Sequence, residues 1–361
     1  MTSISYHAQQ TEKYNQKTKE LLNELPNYCT SFVNYKYHTM EPRSRCGYVQ
    51  DLRIFFHFLK TNNPAVKNIE IKNIPLDILD KLDQDDILEY LKWLEAYELD
   101  GKYYHNGNIG LKRKLASLRT FYKYISSQKG MITNNPAVKV DLPKLNKTNV
   151  RTLEDWERED FLELFEYKYQ EALEKLETIP KEKLLQQDKA APAIVKRNKA
   201  IFYVLIGTGI RVSELVGIDL KDIKLETGRV NIIRKGGHHD YIFLSEEVLD
   251  VVCEYINDFR NMLARQNCQT DALFISQKKT RLTVRSIERM ISSYADEAFG
   301  SNHGLTPHKL RATYGTLFYK ETGDIAATAD VLGNTVAVAR KHYVNQSAFS
   351  KDKMRLMKVK L

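Results

Sequence analysis

The chain has 361 residues, enough for two domains with separate cores. Its formal charge is +9 and its sequence pI about 9.1, with an ordinary 42% of hydrophobic residues. No apolar run reaches the ~18 residues of a membrane-spanning helix and no signal-peptide pattern is seen at the start, so a soluble, intracellular protein is expected.

The basic balance favours a polyanionic partner, because phosphates attract Lys and Arg and release condensed counterions. On charge alone, a basic protein without such a partner fits as well. Distribution says more. Residues 51–100 hold 6 Lys/Arg against 11 Asp/Glu, whereas residues 101–147 hold 10 Lys/Arg against 1 acid. A basic strip beside an acidic one implies a face. Cys29, Cys46, Cys253 and Cys268 form no Cys-x-x-Cys pair and have no histidine at zinc spacing, so they read as thiols of a reduced, cytoplasmic compartment.

Residues 1–20 are polar and read as a loose or helical N-terminal arm. Residues 21–139 read as a helical domain. Tyr48, Leu52, Phe55, Phe56 and Leu59 recur at helical spacing, and Pro64 ends that helix. Asp83 caps a helix with apolar Ile87, Leu88, Leu91 and Leu94, followed by a loop at Gly101, Asn106, Gly107 and Gly110. The next helix carries the stripe Leu111, Leu115, Leu118, Tyr122 and Ile125, with Lys112, Arg113, Lys114, Arg119 and Lys123 supplying charge. Those five residues make either a solvated basic side or a face laid on duplex phosphates. Residues 140–151, with Lys144 and Lys147, read as a basic linker able to wrap a polyanion.

The second domain, 152–345, starts with Thr152 and Asp155 in a capping-box arrangement. A charged helix over 156–186 precedes Pro192, which is expected to break the pattern. Asn198–Ile206 is an apolar helix, and the Gly207-Thr208-Gly209 turn presents Arg211, with Glu214 three residues on and able to pair with it. Val230–Arg234 and Tyr241–Leu244 form a hairpin with Lys235 at its shoulder. Helices follow over 248–263, 284–299, 309–322 and 325–332, the last stopped by Gly333-Asn334. The tail, 346–361, is amphipathic through Phe349, Met354 and Leu356.

Thr306-Pro307-His308-Lys309-Leu310-Arg311 opens one of these helices, Thr306 as N-cap and Pro307 at the first helical position. His308 and Arg311, three apart, put a proton-transfer group and a phosphate-binding fork on one face near a positive helix end. Each residue alone has an ordinary reading: Arg211–Glu214 as a helix ion pair, Lys235 as a solvated turn lysine, His308 as a cap-region histidine, Tyr343 as one of 21 tyrosines. His238 and His239 diverge on a turn and read as no metal site; no magnesium-binding carboxylate cluster and no glycine-rich phosphate loop is present.

Taken in order, these motifs resemble the tyrosine recombinases, the phage integrase family. They are Thr208-Gly209-Ile210-Arg211-Val212-Ser213-Glu214, Lys235-Gly236-Gly237, His308-Lys309-Leu310-Arg311, and Leu332-Gly333-Asn334 with Tyr343 ten residues after the glycine. The likeness runs from about Leu25 to Val344. Within the family the chain looks most like single-protein Xer enzymes, with mobile-element (transposable-element) integrases close behind. The resemblance implies a mainly α protein: a helical, SAM-like core-binding domain and an α/β-type catalytic domain with a small sheet, closing as a C-clamp on DNA.

It also implies a nucleophilic Tyr343, Arg211 and Arg311 on the phosphate, Lys235 as proton donor, His308 as base or phosphate ligand, and Glu214 as their support. No metal or other cofactor is expected. The implied partners are duplex DNA carrying a specific recombination site and a homotetramer joined through a Holliday junction, with room for an accessory protein and with the tail exchanged between protomers. Asn334 departs from the family's usual His or Trp; an amide donates a hydrogen bond but carries no charge. Ala312 replaces a second His common after Leu-Arg. The Asn334 departure keeps open a rival reading, a catalytically silent DNA-binding regulator on the same scaffold. A type IB topoisomerase is a same-chemistry rival.

Overall fold

Asp83 shows how local sequence writes this fold. Its carboxylate accepts from the backbone N–H groups of Asp85 and Asp86, while Asp86 reaches back to the Asp83 N–H, so three backbone donors are satisfied and a helix starts. The structure, a computed structural model, describes residues 5–141, 152–180, 182–264, 268 and 270–344. Two compact units divide the chain, Met1–Lys147 and Thr148–Leu361. Among the described residues no helix is long and apolar enough to cross a membrane.

The first unit is built from α1 (Tyr6–Leu22), α2 (Asn27–Tyr35), α3 (Pro42–Asn62), α4 (Leu76–Lys81), α5 (Gln84–Glu95), a hairpin of β1 (Ala96–Leu99) and β2 (Lys102–His105), and α6 (Asn108–Lys123). The apolar stripe of α3, Leu52, Phe55, Phe56 and Leu59, is buried, as are Leu111, Leu115, Leu118, Tyr122 and Ile125 at and beyond α6. Edge-on ring contacts fill the core, Phe55 on Tyr90 at 5.1 Å and Phe32 on Phe121 at 5.5 Å. The arm, read as loose or helical, is a helix tied to α3 where Arg45 donates to Asn15. Two details depart from the sequence reading. Leu88 faces solvent. The expected loop after α5 contains the β1–β2 hairpin, with Tyr97 stacked on Tyr104 at 5.2 Å.

The second unit contains α7 (Asp155–Thr178), α8 (Gln186–Thr208), α9 (Val212–Gly217), β3 (Ile223–Lys224), β4 (Arg229–Ile233), β5 (His239–Phe243), α10 (Glu246–Glu254), α11 (Arg260–Ala264), α12 (Val284–Phe299), α13 (Pro307–Thr322), α14 (Ile325–Val331) and α15 (Val336–Ala339). Helix α8 is buried along most of its length, and Phe202 stacks on Phe161 of α7 at 4.5 Å. The three strands form one antiparallel sheet in the order β3-β4-β5, with Val230 opposite Ile242 and Ile233 opposite His239.

Two sequence expectations fail here. Pro192 does not break the chain; it lies inside α8, buried, where packing offsets the roughly 3 kcal/mol that an interior proline costs. The cap of α7 is Glu154 with Glu157, not Thr152 with Asp155, because the Glu157 carboxylate reaches the Glu154 N–H at 2.9 Å. The linker lysines Lys144 and Lys147 and the tail 346–361 lie outside the described residues.

Candidate active site

Three backbone turns bring the site together. The first ends α8. Gly209 takes a left-handed conformation (φ 62°) and donates to the Leu205 carbonyl. A Cβ there would come within 2.5 Å of Tyr314 and 2.8 Å of Leu332, so both the turn and the close packing demand glycine. Arg211 follows as the N-cap of α9. The Glu214 carboxylate accepts the Arg211 backbone N–H at 2.8 Å and its Nη1 at 2.8 Å. The expected pair therefore forms, with Glu214 buried and the arginine partly open.

The second turn starts α13. Thr306 accepts from the Lys309 N–H, and Pro307 occupies the first helical position. Arg311 is buried. Its Nη1 donates to the Gly209 carbonyl at 2.6 Å, and its Nη2 donates to the Leu332 carbonyl and, at 3.2 Å, to Asn334 Oδ1. Burial and the neighbouring Arg211 charge push its pKa down to about 10, so it remains a cation at neutral pH. His308 stands nearer the rim. The partial burial of its ring, then the charges of Arg311, His342 and Arg211, hold it below the usual histidine value.

The third turn ends α14 at Gly333 (φ 57°) and presents Asn334, whose N–H donates to the Ala329 carbonyl at 2.8 Å. Asn334 Oδ1 accepts from Arg211 Nη2 at 2.9 Å as well as from Arg311. Arg211 Nη2 also donates to the Gly333 carbonyl at 3.2 Å. One amide oxygen thus joins the three turns.

Tyr343 sits on a π-helical turn, Arg340–Val344, that continues α15. It is buried in a cluster with Ala329, Leu332 and Ala339. Burial raises its pKa; Arg311, Arg211 and a hydrogen bond from Asn334 pull the other way. Its ring lies over Gly315 of α13, where a Cβ would meet Cε1 and Cζ at 2.7 Å.

Lys235 is exposed, in the loop between β4 and β5, and its ammonium meets no partner among the described residues. The residue before it, missed by sequence reasoning, is buried: Arg234 donates to Asp240, Glu214 and the Val331 carbonyl. The readable signal was an arginine and an aspartate flanking a glycine loop at the two ends of a hairpin.

The basic helix α6 divides. Lys112, Arg113 and Lys123 reach solvent, although Arg113 is also clamped by two bonds to buried Asp51, at 2.6 and 2.5 Å. Lys114 is turned inward, bonded to Asn106 at 2.9 Å, and Arg119 is spent on the Ala137 and Val140 carbonyls. Neither points as a phosphate-facing residue would. Among the described residues no group of three or more His, Cys, Asp or Glu side chains is placed to hold a metal ion.

Comparison with known proteins adds the family. The model of the phage integrase family matches residues 175–348, the stretch that contains all three turns and Tyr343. The chain carries a phage integrase family domain. Xer tyrosine recombinases are its homologues. Tyrosine recombinase XerC of Caldanaerobacter subterraneus subsp. tengcongensis is 26% identical over 323 residues, covering 86% of this chain and 81% of that protein. Tyrosine recombinase XerS of Streptococcus agalactiae is 27% identical over 341 residues, covering 88% and 91%.

The integrase fold is shared with solved structures. The XerH site-specific recombinase bound to palindromic difH substrate, a post-cleavage complex, superposes with TM-score 0.63 at 18% identity, covering 94% of this chain and 88% of that one. The Tn1549 transposon integrase in complex with circular intermediate DNA gives TM-score 0.61 at 16% identity, covering 92% and 99%.

Proposed function

We propose that this chain is a site-specific tyrosine recombinase that cuts and rejoins DNA through a 3′-phosphotyrosyl intermediate. The observation that carries the reading is the meeting of Arg211, Arg311 and Asn334 on one amide oxygen beside buried Tyr343. Two guanidinium forks on one spot suit a phosphodiester, whose non-bridging oxygens gain charge as attack proceeds.

A tyrosine of ordinary pKa, about 10, is roughly 1 in 1,000 ionised at pH 7, a cost of about 4 kcal/mol. Burial of Tyr343 adds to that cost, and Arg211, Arg311 and the Asn334 hydrogen bond offset it. Its Oη attacks phosphorus, the P–O5′ bond breaks, and the phenolic proton leaves to a base. His308, held neutral by its lowered pKa, is suited to take it. Lys235 gives a proton to the departing 5′ oxygen. Attack by a partner strand's 5′-hydroxyl reverses the step, so one phosphoester replaces another and no nucleotide triphosphate is consumed. Glu214 orients Arg211.

In this reading the first unit is the core DNA-binding domain, with Lys112, Arg113 and Lys123 on phosphates. Four protomers on two sites would pass through a Holliday junction, in the nucleoid, either in chromosome dimer resolution or in movement of an element. Nothing in the geometry or among the relatives favours a silent regulator.

The test is a nicked suicide duplex incubated with the chain and run on a denaturing gel. The duplex would come from the gene's flanks or from the chromosome terminus. A covalent band that Tyr343→Phe abolishes, with binding retained, is expected; specific binding with no covalent band overturns the reading. Cutting at the gene's own flanks would assign a mobile element, cutting at the terminus dimer resolution.

A further inference from the structure

Lys235 raises a physical problem. A general acid has to sit within about 2.6–3.2 Å of the oxygen it protonates, yet Lys235 is exposed and starts a loop in which Gly236 and Gly237 take φ of 89° and 79°. Something else has to fix that loop. We infer that Arg234 is the positioning residue for Lys235: it moors the hairpin to the Arg211–Glu214 pair and to the turn that carries Asn334, so that proton donor and phosphate-binding arginines share one frame. The inference rests on the recombinase reading above.

The moorings are specific. The Arg234 backbone closes the loop, its N–H donating to the His238 carbonyl at 2.8 Å and its carbonyl accepting from Gly237 at 3.1 Å. Its side chain, 9% exposed, then leaves the hairpin. Nε donates to Asp240 at 2.8 Å, across the loop. Nη1 donates to Glu214 Oε2 at 3.3 Å, and Glu214 Oε1 holds Arg211. Nη2 donates to the Val331 carbonyl at 2.9 Å, two residues before Gly333.

The guanidinium lies flat on that turn. A Cβ at Gly333 would meet Arg234 Nε, Cδ and Cζ at 3.1 to 3.2 Å, so glycine is what lets it approach. The planar fork serves three acceptors on three segments at once, which a lysine cannot reproduce. A buried arginine needed only for stability would have no reason to end on the carboxylate that orients Arg211.

The experiment separates positioning of the acid from general damage. Duplexes selected from a random library by the wild-type chain, and cut by it, are made with either oxygen or sulfur at the bridging 5′ position of the scissile phosphate. A thiol, with a pKa of about 8.5, leaves without a proton. Arg234→Gln is expected to slow single-turnover cleavage of the oxygen duplex by about 100-fold, the scale of an ångström of misplacement. On the sulfur duplex the loss should shrink to within about threefold, as it should for Lys235→Ala, whose proton is no longer needed. Arg211→Lys should stay slow on both.

Asp240→Ala, at a more open position, should show the same sulfur rescue with a smaller loss, and it carries the test if Arg234→Gln does not fold. Equal losses on both duplexes, or no loss, overturn the inference while the wild-type covalent band keeps the recombinase reading intact. No covalent band from the wild-type chain overturns both.

Discussion

Replacing Gly315 by alanine should separate the placement of the nucleophile from the stability of the fold. Gly315 lies inside α13, four residues after Arg311, under the Tyr343 ring. An added Cβ would sit 2.7 Å from Tyr343 Cε1 and Cζ and 2.8 Å from Leu332 Cδ1, where ordinary contact begins at 3.4 Å. The ring, or α13 with Arg311 on it, therefore has to give by about 0.7 Å. Both belong to the proposed attack on phosphorus, and a displacement near 1 Å costs on the order of 100-fold in rate. Stability is expected to fall by about 0–2.5 kcal/mol. Alanine gains about 0.5–1 kcal/mol over glycine in a helix interior, against roughly 1–3 kcal/mol for overpacking. The assay is single-turnover formation of the covalent protein–DNA adduct, with thermal melting and DNA binding measured alongside. Adduct formation by Gly315→Ala at the wild-type rate, with melting unchanged, would refute the reasoning.

Four further outcomes follow from the geometry. Because His308 is held below its usual pKa of 6.5, it stays neutral as pH falls through 6.5, so cleavage should persist there and decline only at lower pH; a rate profile from about pH 5 to 8 that loses its acid limb in His308→Gln bears this out. Lys112→Ala and Lys123→Ala should each lower the slope of log affinity against log salt by about 1, whereas Lys114→Ala, whose ammonium is bonded to Asn106, should leave the slope alone and lower the melting temperature. Asp51→Ala strands Ser117 and the half-exposed Arg113, and should destabilise the first unit by about 2 kcal/mol, read as an earlier urea transition. Asn334→Asp should cut adduct formation more than Asn334→Ala, because the added anion would hold both arginines away from phosphate; equal activity of the two would remove that explanation.

The helices of both units were legible because their cores repeat at helical spacing. Leu111, Leu115, Leu118, Tyr122 and Ile125 form one stripe in the sequence and all are buried. Residue pairs within one turn were legible too, as Arg211 with Glu214 shows. What the sequence concealed lies in contacts distant along the chain. Charge alone could not tell Lys112 from Lys114; only the packing of α6 turns one outward and the other onto Asn106. Pro192 reads as a breaker by its own chemistry, and the burial that overrides it comes from other elements. Arg234 reads as a strand-end cation, and its partners Glu214 and Val331 lie 20 and 97 residues away. Gly315 carried no signal at all, since a helical glycine means something only when the ring above it is known.

The electrostatics give a reason for an amide at position 334. Arg311 is buried beside Arg211, and its burial, with the repulsion between the two, already brings its pKa down to about 10. A third positive charge there would press that value lower and work against the fork on which the proposed chemistry depends. A carboxylate would relieve the repulsion but compete with phosphate for the same N–H groups. A neutral amide avoids both. Its oxygen accepts from the two arginines while its other end hydrogen-bonds Tyr343 and lowers the cost of the phenolate. Glu214, shared between Arg211 and Arg234, supplies a buried negative charge that holds those two arginines in place. The departure from the family's usual residue therefore fits a site whose positive charge is concentrated in arginines and whose bridging group carries none.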